Sequence, residues 1–532
     1  MSSYISHFFI LVYFGAAALL LVYGINCYVM IYLSLRRREQ ARIHRSGLRT
    51  RWTEASWESE APVVTTQIPI YNEANVVDRV LRAVCAMRYP MDRHEIQVLD
   101  DSTDETKEVI DRTVLELRRE GHDIKVLRRE ERVGYKAGAL EHGLKTARGE
   151  YVAVFDADFV PGRGFLQQTI PFLVEDPKLG LVQTRWGHLN REHSLLTRAQ
   201  SIGIDGHFMV EQSARAWNGL FMNFNGTAGI WRRAAIDASG GWKWDTLTED
   251  MDLSYRMQLA GWRACYLPDV VVPAEIPCDV NAFKSQQFRW AKGSIQTAKK
   301  ILPGLLRSRV SFFSKVQAVF HMTHYLVHPL MLTLALLALP VLVSLEAPLG
   351  PVAFTFLTIL LLAAMFAPTS LYFFSQRMAY GDWYRRVLWL PVLVVIGVGL
   401  ALSNSWAVVQ ALAGHQSPFV RTPKRGDRPR KRYGARFPWT ALGEISVGIY
   451  CLYSLRVYIA EGKYLVGPFL GIYAAGFLFM GVLAMAHVLG FEQRTDHGPK
   501  SSPSKSLMQI SSGTEDERVL PMAKAMRQES RP

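Results

Sequence analysis

Hydrophobic positions along this chain follow two regimes. Residues 7–33 are almost continuously apolar, too long for a signal-peptide core and followed by no small-residue cleavage site. About 20 apolar residues cross a bilayer, so the segment 1–35 is expected to be a transmembrane helix. Comparable runs return only at 316–345, 352–374, 387–413, 439–459 and 465–489. Between them, from 61 to 278, short apolar runs alternate with amphipathic ones. Strands are expected at 63–69, 96–99, 124–128 and 151–155, and helices at 75–86, 105–120 and 136–146. This alternation predicts an α/β domain with a mainly parallel sheet, whose ligands gather beyond the carboxyl ends of the strands. In 281–302, Ala291, Ile295, Ala298 and Leu302 form an apolar stripe, with Lys284, Lys292, Lys299 and Lys300 elsewhere around the helix. The segment 279–310 therefore reads as an amphipathic helix lying on a membrane surface.

Charge orients these segments. Of 532 residues, 61 are Lys or Arg and 47 Asp or Glu, a formal charge of +14. Arg36, Arg37 and Arg38 follow the first span and place its end in the cytoplasm. Between 421 and 436 lie Arg421, Lys424, Arg425, Arg428, Arg430, Lys431, Arg432 and Arg436, and before 387 lie Arg377, Arg385 and Arg386. Both loops should be cytoplasmic, so 387–413 is expected to be interfacial or re-entrant, with a true span as the runner-up. A multi-pass protein of five spans results: two within 316–374 and two within 439–489, the amino terminus outside, the carboxyl terminus and the soluble domain inside. The five cysteines show no paired or zinc-binding spacing, which favours a reduced compartment. Residues 492–532 have the composition of a disordered tail. Membrane lipids are the expected partners of the basic charge, and nucleic acid is not.

The chemistry-bearing residues cluster at the predicted strand ends. Asp156 and Asp158 close the fourth strand. Two like charges so placed make sense around a hard divalent cation, Mg²⁺ or Mn²⁺, which accepts carboxylate and phosphate oxygens; an Asx turn or helix cap is the plainer reading. Tyr71, Asn72 and Glu73, the pair Asp100 and Asp101, and the segment 134–138 stand at corresponding positions and indicate a nucleotide cleft. A G-x-G-x-x-G loop is absent, which counts against a dinucleotide oxidoreductase. Asn225, Gly226 and Thr227 form a small-residue turn that a hairpin alone would also explain. Glu249 and Asp250 open a helix, where acidic residues serve as caps or present a base at a cleft edge. Gln286, Arg289 and Trp290 share a helical face; Trp290 is either an interfacial anchor or a platform for a sugar ring. His321, His324 and His328 read as hydrogen-bonding pore or interface residues rather than a metal site.

The ordered set Asp100-Asp101, Asp156-x-Asp158, Thr248-Glu249-Asp250 and Gln286-x-x-Arg289-Trp290 resembles the D, DxD, TED, QxxRW signature of membrane-embedded family 2 glycosyltransferases. The local text PIYNE, DDSTDET, FNGTAGIWRR and QQFRW is most similar to the cellulose-synthase-like A and C groups, makers of β-mannan or glucomannan and of β-glucan. The resemblance implies a GT-A-type nucleotide-sugar domain. Tyr71, Glu73, Asp100, Asp101 and Lys136 would line the nucleoside pocket, and Asp156 and Asp158 would hold Mg²⁺ or Mn²⁺ on the donor diphosphate. Asp250 would be the general base beside Glu249, Gln286 and Arg289 would hold the diphosphate region, and Asn225, Gly226, Thr227 and Trp290 the acceptor. Within 387–436, residues 419–424 resemble a gating loop, whose Thr422 and Lys424 would meet phosphate, although Arg421 replaces its usual Val. The implied reaction is metal-dependent transfer with inversion from a nucleotide sugar, UDP-glucose favoured and GDP-mannose the alternative. It would extend a β-linked polysaccharide and pass it through the membrane, or else glycosylate a lipid. The location would be a bacterial inner membrane or a plant Golgi membrane, with a second copy or accessory export subunits as further partners.

Overall fold

The computed structural model describes residues 3–49, 52, 57, 60–344, 351–417, 426, 439–464 and 466–488, with side chains omitted at 3, 49, 351–361, 364 and 365. The predicted sheet is present. Its strands are β1 (Val64–Ile70), β2 (His94–Asp100), β3 (Asp123–Arg128), β4 (Tyr151–Val154), β5 (Leu179–His188), β6 (Gly229–Arg232) and β7 (Arg263–Ala274), in the order β3-β2-β1-β4-β6-β5-β7. Every neighbouring pair is parallel except those of β6, which runs against both β4 and β5. β1 is an interior strand, Gln67 lying in register with Gln97 on one side and Val154 on the other. Its neighbour β2 is buried along all seven residues, the pattern of a parallel strand covered on both faces.

The helices in chain order are α1 (Ser3–Arg36), α2 (Arg38–Arg49), α3 (Val77–Cys85), α4 (Thr106–Arg119), α5 (Tyr135–Leu144), α6 (Phe165–Glu175), α7 (Leu195–Gly206), α8 (Ser213–Trp217), α9 (Arg233–Ala238) and α10 (Glu249–Leu259). Two apolar layers hold the sheet. On one side Val77, Val80, Val109, Phe165 and Ile170 of α3, α4 and α6 pack on it; on the other Leu140, Ile236, Leu253 and Met257 of α5, α9 and α10 do. The first four strands and the helices between them fall within a few residues of the expected bounds, because each repeats one amphipathic unit. β6 did not emerge from the pattern, being four residues of a turn-rich stretch.

Beyond the sheet run α11 (Val280–Arg307), α12 (Phe312–Thr323), α13 (Val327–Ser344), α14 (Pro351–Ala379), α15 (Trp383–Arg386), α16 (Leu390–Gly399), α17 (Ala401–Leu412), α18 (Trp439–Ala460) and α19 (Gly467–Val488). Among the described residues, Tyr4–Arg36, Phe312–Ser344 and Gly467–Val488 are long and apolar enough to cross a membrane. The run at 387–413 is broken: Trp383–Gly399 meets Ala401–Leu412 at 43°, as either a kinked span or a re-entrant segment would. The amphipathic helix α11 starts where the Asp279 carboxylate accepts the Asn281 and Ala282 N–H groups at 2.5 and 3.0 Å. The tail at 492–532 and the basic loop at 427–436 lie outside the described residues.

α11 is tied to the apolar helices by polar contacts. Lys284 Nζ sits 2.6 Å from Glu444 of α18, both side chains almost fully buried, and Asn281 Nδ2 donates to the Ala484 carbonyl at 3.3 Å. Removing one partner of a buried ion pair costs about 3–5 kcal/mol, since the other charge is stranded. Glu444→Ala should therefore lower the thermal midpoint of the detergent-solubilised protein clearly. The double substitution Lys284→Met/Glu444→Leu should recover most of that loss, read from the same melting curves.

Candidate active site

The carboxyl ends of β1, β2 and β4 open into one cleft, closed opposite by α10 and α11. Its cavity of about 220 Å³ is bordered by Tyr71, Glu73, Asp101, Lys136, Asp156, Asp158, Asn225, Gly226, Glu249, Asp250, Gln286, Arg289 and Trp290. Thirteen of the seventeen site residues expected from the sequence meet here, contributed by segments more than 200 residues apart.

The turn at Gly226 is the junction. Gly226 has φ +80, and a Cβ there would lie 3.1 Å from Asp250 Oδ2 and 3.4 Å from Lys136 Nζ. Lys136, on the first turn of α5, donates to Asp156 Oδ1 at 2.5 Å and to the Gly226 carbonyl at 2.8 Å. Burial opposes its charge, but Asp156, Glu249 and Asp250 outweigh that and hold its pKa above the usual lysine value. Gly226→Ala adds both a left-handed strain of about 1–2 kcal/mol and a methyl against the Asp250 carboxylate. We expect at least a tenfold fall in turnover with only a modest loss in melting temperature, measured on one preparation.

Asp250 is not the cap of α10. Thr248 holds the cap position, with no side-chain cap bond, while Asp250 Oδ1 accepts the Met251 N–H at 2.8 Å. Its second oxygen is left facing Gly226. Burial and the adjacent Glu249 carboxylate push the Asp250 pKa well above the ordinary carboxylate range, and burial also raises Glu249. α11 fixes this element: the Leu247 N–H donates to Gln296 Oε1 at 3.0 Å, and the Thr248 and Thr297 hydroxyls are 3.0 Å apart. Contact is close because position 293 is glycine; a Cβ there would meet Thr248 Cγ2 at 2.6 Å. The start of α10, which carries the base candidate, is thus packed directly on the helix that carries Gln286, Arg289 and Trp290. Burial draws the Arg289 pKa down to about 10 against the pull of Glu249 and Asp156, which leaves it a cation at neutral pH.

Two residues expected in the cleft lie behind it. Asp100 is buried with its oxygens committed to the Ser102 N–H at 2.9 Å and Arg128 Nε at 2.7 Å, so it holds the strand end and does not border the cavity. Thr227 is fully buried, and its hydroxyl accepts the Asp156 N–H at 2.8 Å, which positions the carboxylate. Thr422 and Lys424 lie outside the described residues. Their neighbour Gly426 donates its N–H to Glu275 Oε2 at 3.2 Å, and Glu275 borders the cleft.

Other contributors were missed. Arg132 stacks over the Tyr71 ring at 3.4 Å, and Arg129 clamps Asp101 at 3.0 and 2.5 Å; both belong to a run of Arg and Glu before Gly134 to which the sequence alone assigns no role. Trp186 lies 6.5 Å from Trp290, at the end of a strand that the alternation did not resolve. Behind Asn225, a π-helical turn (His207–Gln212) supplies Gln212, donating to Asn225 Oδ1 at 2.6 Å, and His207, 2.9 Å from Asn225 Nδ2. His321 bonds the Tyr255 hydroxyl at 2.7 Å and His328 the Asn404 amide at 3.0 Å, so both make interface hydrogen bonds. No group of three metal-ligating side chains occurs among the described residues.

A parallel sheet with paired carboxylates at a strand end, cations around them and a buried carboxylate facing them defines a GT-A-type nucleotide-sugar glycosyltransferase domain. Residues 61–293 match the family described as "Glycosyltransferase like family 2". The chain is 34% identical over 474 residues to glucomannan 4-beta-mannosyltransferase 7 of Arabidopsis thaliana, covering 85% of this chain and 83% of that protein. To glucomannan 4-beta-mannosyltransferase 2 of the same plant it is 45% identical over 267 residues, so that it spans about half (50%) of that relative. A solved mannosyltransferase of Pyrobaculum calidifontis, in complex with GDP-Man and Mn²⁺, superposes with a TM-score of 0.47 and 21% identity, over 74% of this chain and 99% of that one. The chain belongs to the family 2 glycosyltransferases, in the cellulose-synthase-like group that contains the glucomannan mannosyltransferases.

Proposed function

We propose that this protein transfers mannosyl units from GDP-mannose, with inversion, to the non-reducing end of a β-1,4-linked mannan or glucomannan. The observation that carries this reading is the convergence of Asp250, Lys136 and Asp156 on the Gly226 turn, with Arg289 and Trp290 on the adjoining helix face. The mannosyltransferase names of the relatives favour mannose over the glucose that the sequence alone favoured. A membrane-embedded chain of five spans, with 387–413 re-entrant and the cleft in the cytoplasm, would carry the growing polymer outward.

The donor set fits a divalent cation. Asp156 is a third exposed and Asp158 is buried, and two carboxylates leave room for phosphate oxygens in an octahedral shell. Mg²⁺ or Mn²⁺ bound there would neutralise charge on the donor diphosphate. The protein's own part is clearer still. Lys136 and Arg289 place two cations where the leaving diphosphate gathers charge, in a site sheltered from water. Asp250 Oδ2 takes the proton of the acceptor hydroxyl as that oxygen attacks the anomeric carbon from the face opposite the diphosphate. Trp290 holds the acceptor ring by stacking. Incubating the reconstituted protein with a panel of radiolabelled nucleotide sugars, followed by linkage analysis, tests the proposal. A β-1,4-mannosyl polymer supports it; a β-glucan or a single glycolipid overturns it.

A further inference from the structure

One imidazole at the cleft has a role that this reaction leaves unassigned. His188 is the last residue of β5, in register with Ala274 of β7. Its side chain is 4% exposed, and its Nε2 lies 3.0 Å from Asp205 Oδ1, on a carboxylate with no exposed surface. Asp205 is itself fixed: Gln376 Nε2 donates to Oδ2 at 3.1 Å, and the Tyr380 hydroxyl to Oδ1 at 3.1 Å. The carboxylate can only accept, so Nε2 carries the proton that it donates to Asp205, and in the neutral imidazole Nδ1 presents a lone pair. Among the described residues no hydrogen bond reaches that Nδ1, and it is not a sealed atom. His188 borders the active-site cavity.

Position along the strand says which end of the cavity. Residues two apart on a strand face the same side, about 6.6 Å from each other. Trp186 therefore shares the His188 face, and its ring lies 6.5 Å from Trp290. We infer that His188, oriented by Asp205, is a specificity-determining residue for the acceptor, its Nδ1 accepting a hydrogen bond from a hydroxyl of the sugar stacked on Trp290. The inference rests on Trp290 being the acceptor platform. It also gives the end of α14 a part in recognition: Gln376 of that helix and Tyr380 just beyond it hold the carboxylate that aims the imidazole.

The test uses the full chain in nanodiscs, GDP-mannose as donor and β-1,4-mannohexaose or cellohexaose as acceptor, and reads the two KM values separately. Loss of one such hydrogen bond corresponds to roughly a 3- to 10-fold change. His188→Phe should raise the acceptor KM by that amount and leave the donor KM within about twofold. Asp205→Asn should shift the acceptor KM in the same direction, and His188→Gln, whose amide oxygen can accept, should restore part of it. His188→Ala carries the same expectation should the phenyl ring prevent folding. An unchanged acceptor KM, or an equal rise for the donor, overturns the inference. Trp290→Ala separates the two levels. An unchanged acceptor KM in that variant removes the platform itself, whereas a raised one beside a normal His188 variant removes only the role of His188.

Discussion

Asp250→Asn should give a protein that inserts, folds and binds donor nucleotide as the wild type does, yet transfers almost no sugar. Asn retains a side-chain oxygen for the Met251 N–H now accepted at 2.8 Å, so the first turn of α10 keeps its local bond. What disappears is an oxygen able to take a proton. Loss of a general base typically costs about 10²–10⁴ in rate, far beyond the ~1 kcal/mol of a helix-terminal bond. Nucleotide affinity and turnover measured on one purified sample separate the outcomes; near-normal turnover would leave the acceptor proton without a destination. The wild type carries a matching signature. Burial and Glu249 hold Asp250 above the ordinary carboxylate range, and only the ionised form acts as base. Turnover should therefore rise with pH through that elevated pKa, and the limb should vanish from whatever activity Asp250→Asn retains.

The sequence showed the site better than its supports. Asp156, Asp158, Glu249, Asp250, Gln286, Arg289 and Trp290 could be read because chemistry confines such residue types to strand ends and helix starts, where carboxylates and cations have no cheaper reason to gather. Asp100 and Asp101 show the limit. Adjacent strand residues point to opposite faces, so only one of the pair can enter the cleft. Asp101 does, and Asp100 turns to Arg128 and Ser102; the pairing of β2 with β3 decides which, and that is a tertiary fact. Arg132, Trp186, His188 and His207 were hidden for the same reason. Each lies in a segment whose local pattern is ordinary, and each gains its role from a partner distant in sequence: Tyr71, Trp290, Asp205 and Asn225. Periodicity located the apolar helices well, but a bend of 43° within 383–412 depends on packing that no hydropathy window contains.

Removing divalent metal should abolish transfer, and Asp158→Asn should depress it strongly at metal concentrations that just saturate the wild type. Among the described residues no three His, Cys, Asp or Glu side chains are grouped so as to form a protein-only metal site, and the cation's hold is expected to depend on the donor diphosphate. Affinity for metal and affinity for donor should then be coupled, each improving the other by the same factor. The two carboxylates should not be equivalent. Asp156 already shares Oδ1 with Lys136 at 2.5 Å, so Asp156→Asn removes a ligand and also frees a buried ammonium to move toward Glu249 and Asp250. Asp158 borders the same cavity on a buried side chain. Asp158→Asn should raise the Mn²⁺ concentration needed for half-maximal turnover by tenfold or more. Asp156→Asn should stay inactive at any Mn²⁺ concentration. Titrating Mn²⁺ and Mg²⁺ into EDTA-stripped preparations of the three proteins, with nucleotide binding followed in parallel, reads both effects. Full turnover by the stripped wild type would show that Lys136 and Arg289 alone carry the charge of the leaving diphosphate, and the paired carboxylates would then have to be explained by what they do for Lys136.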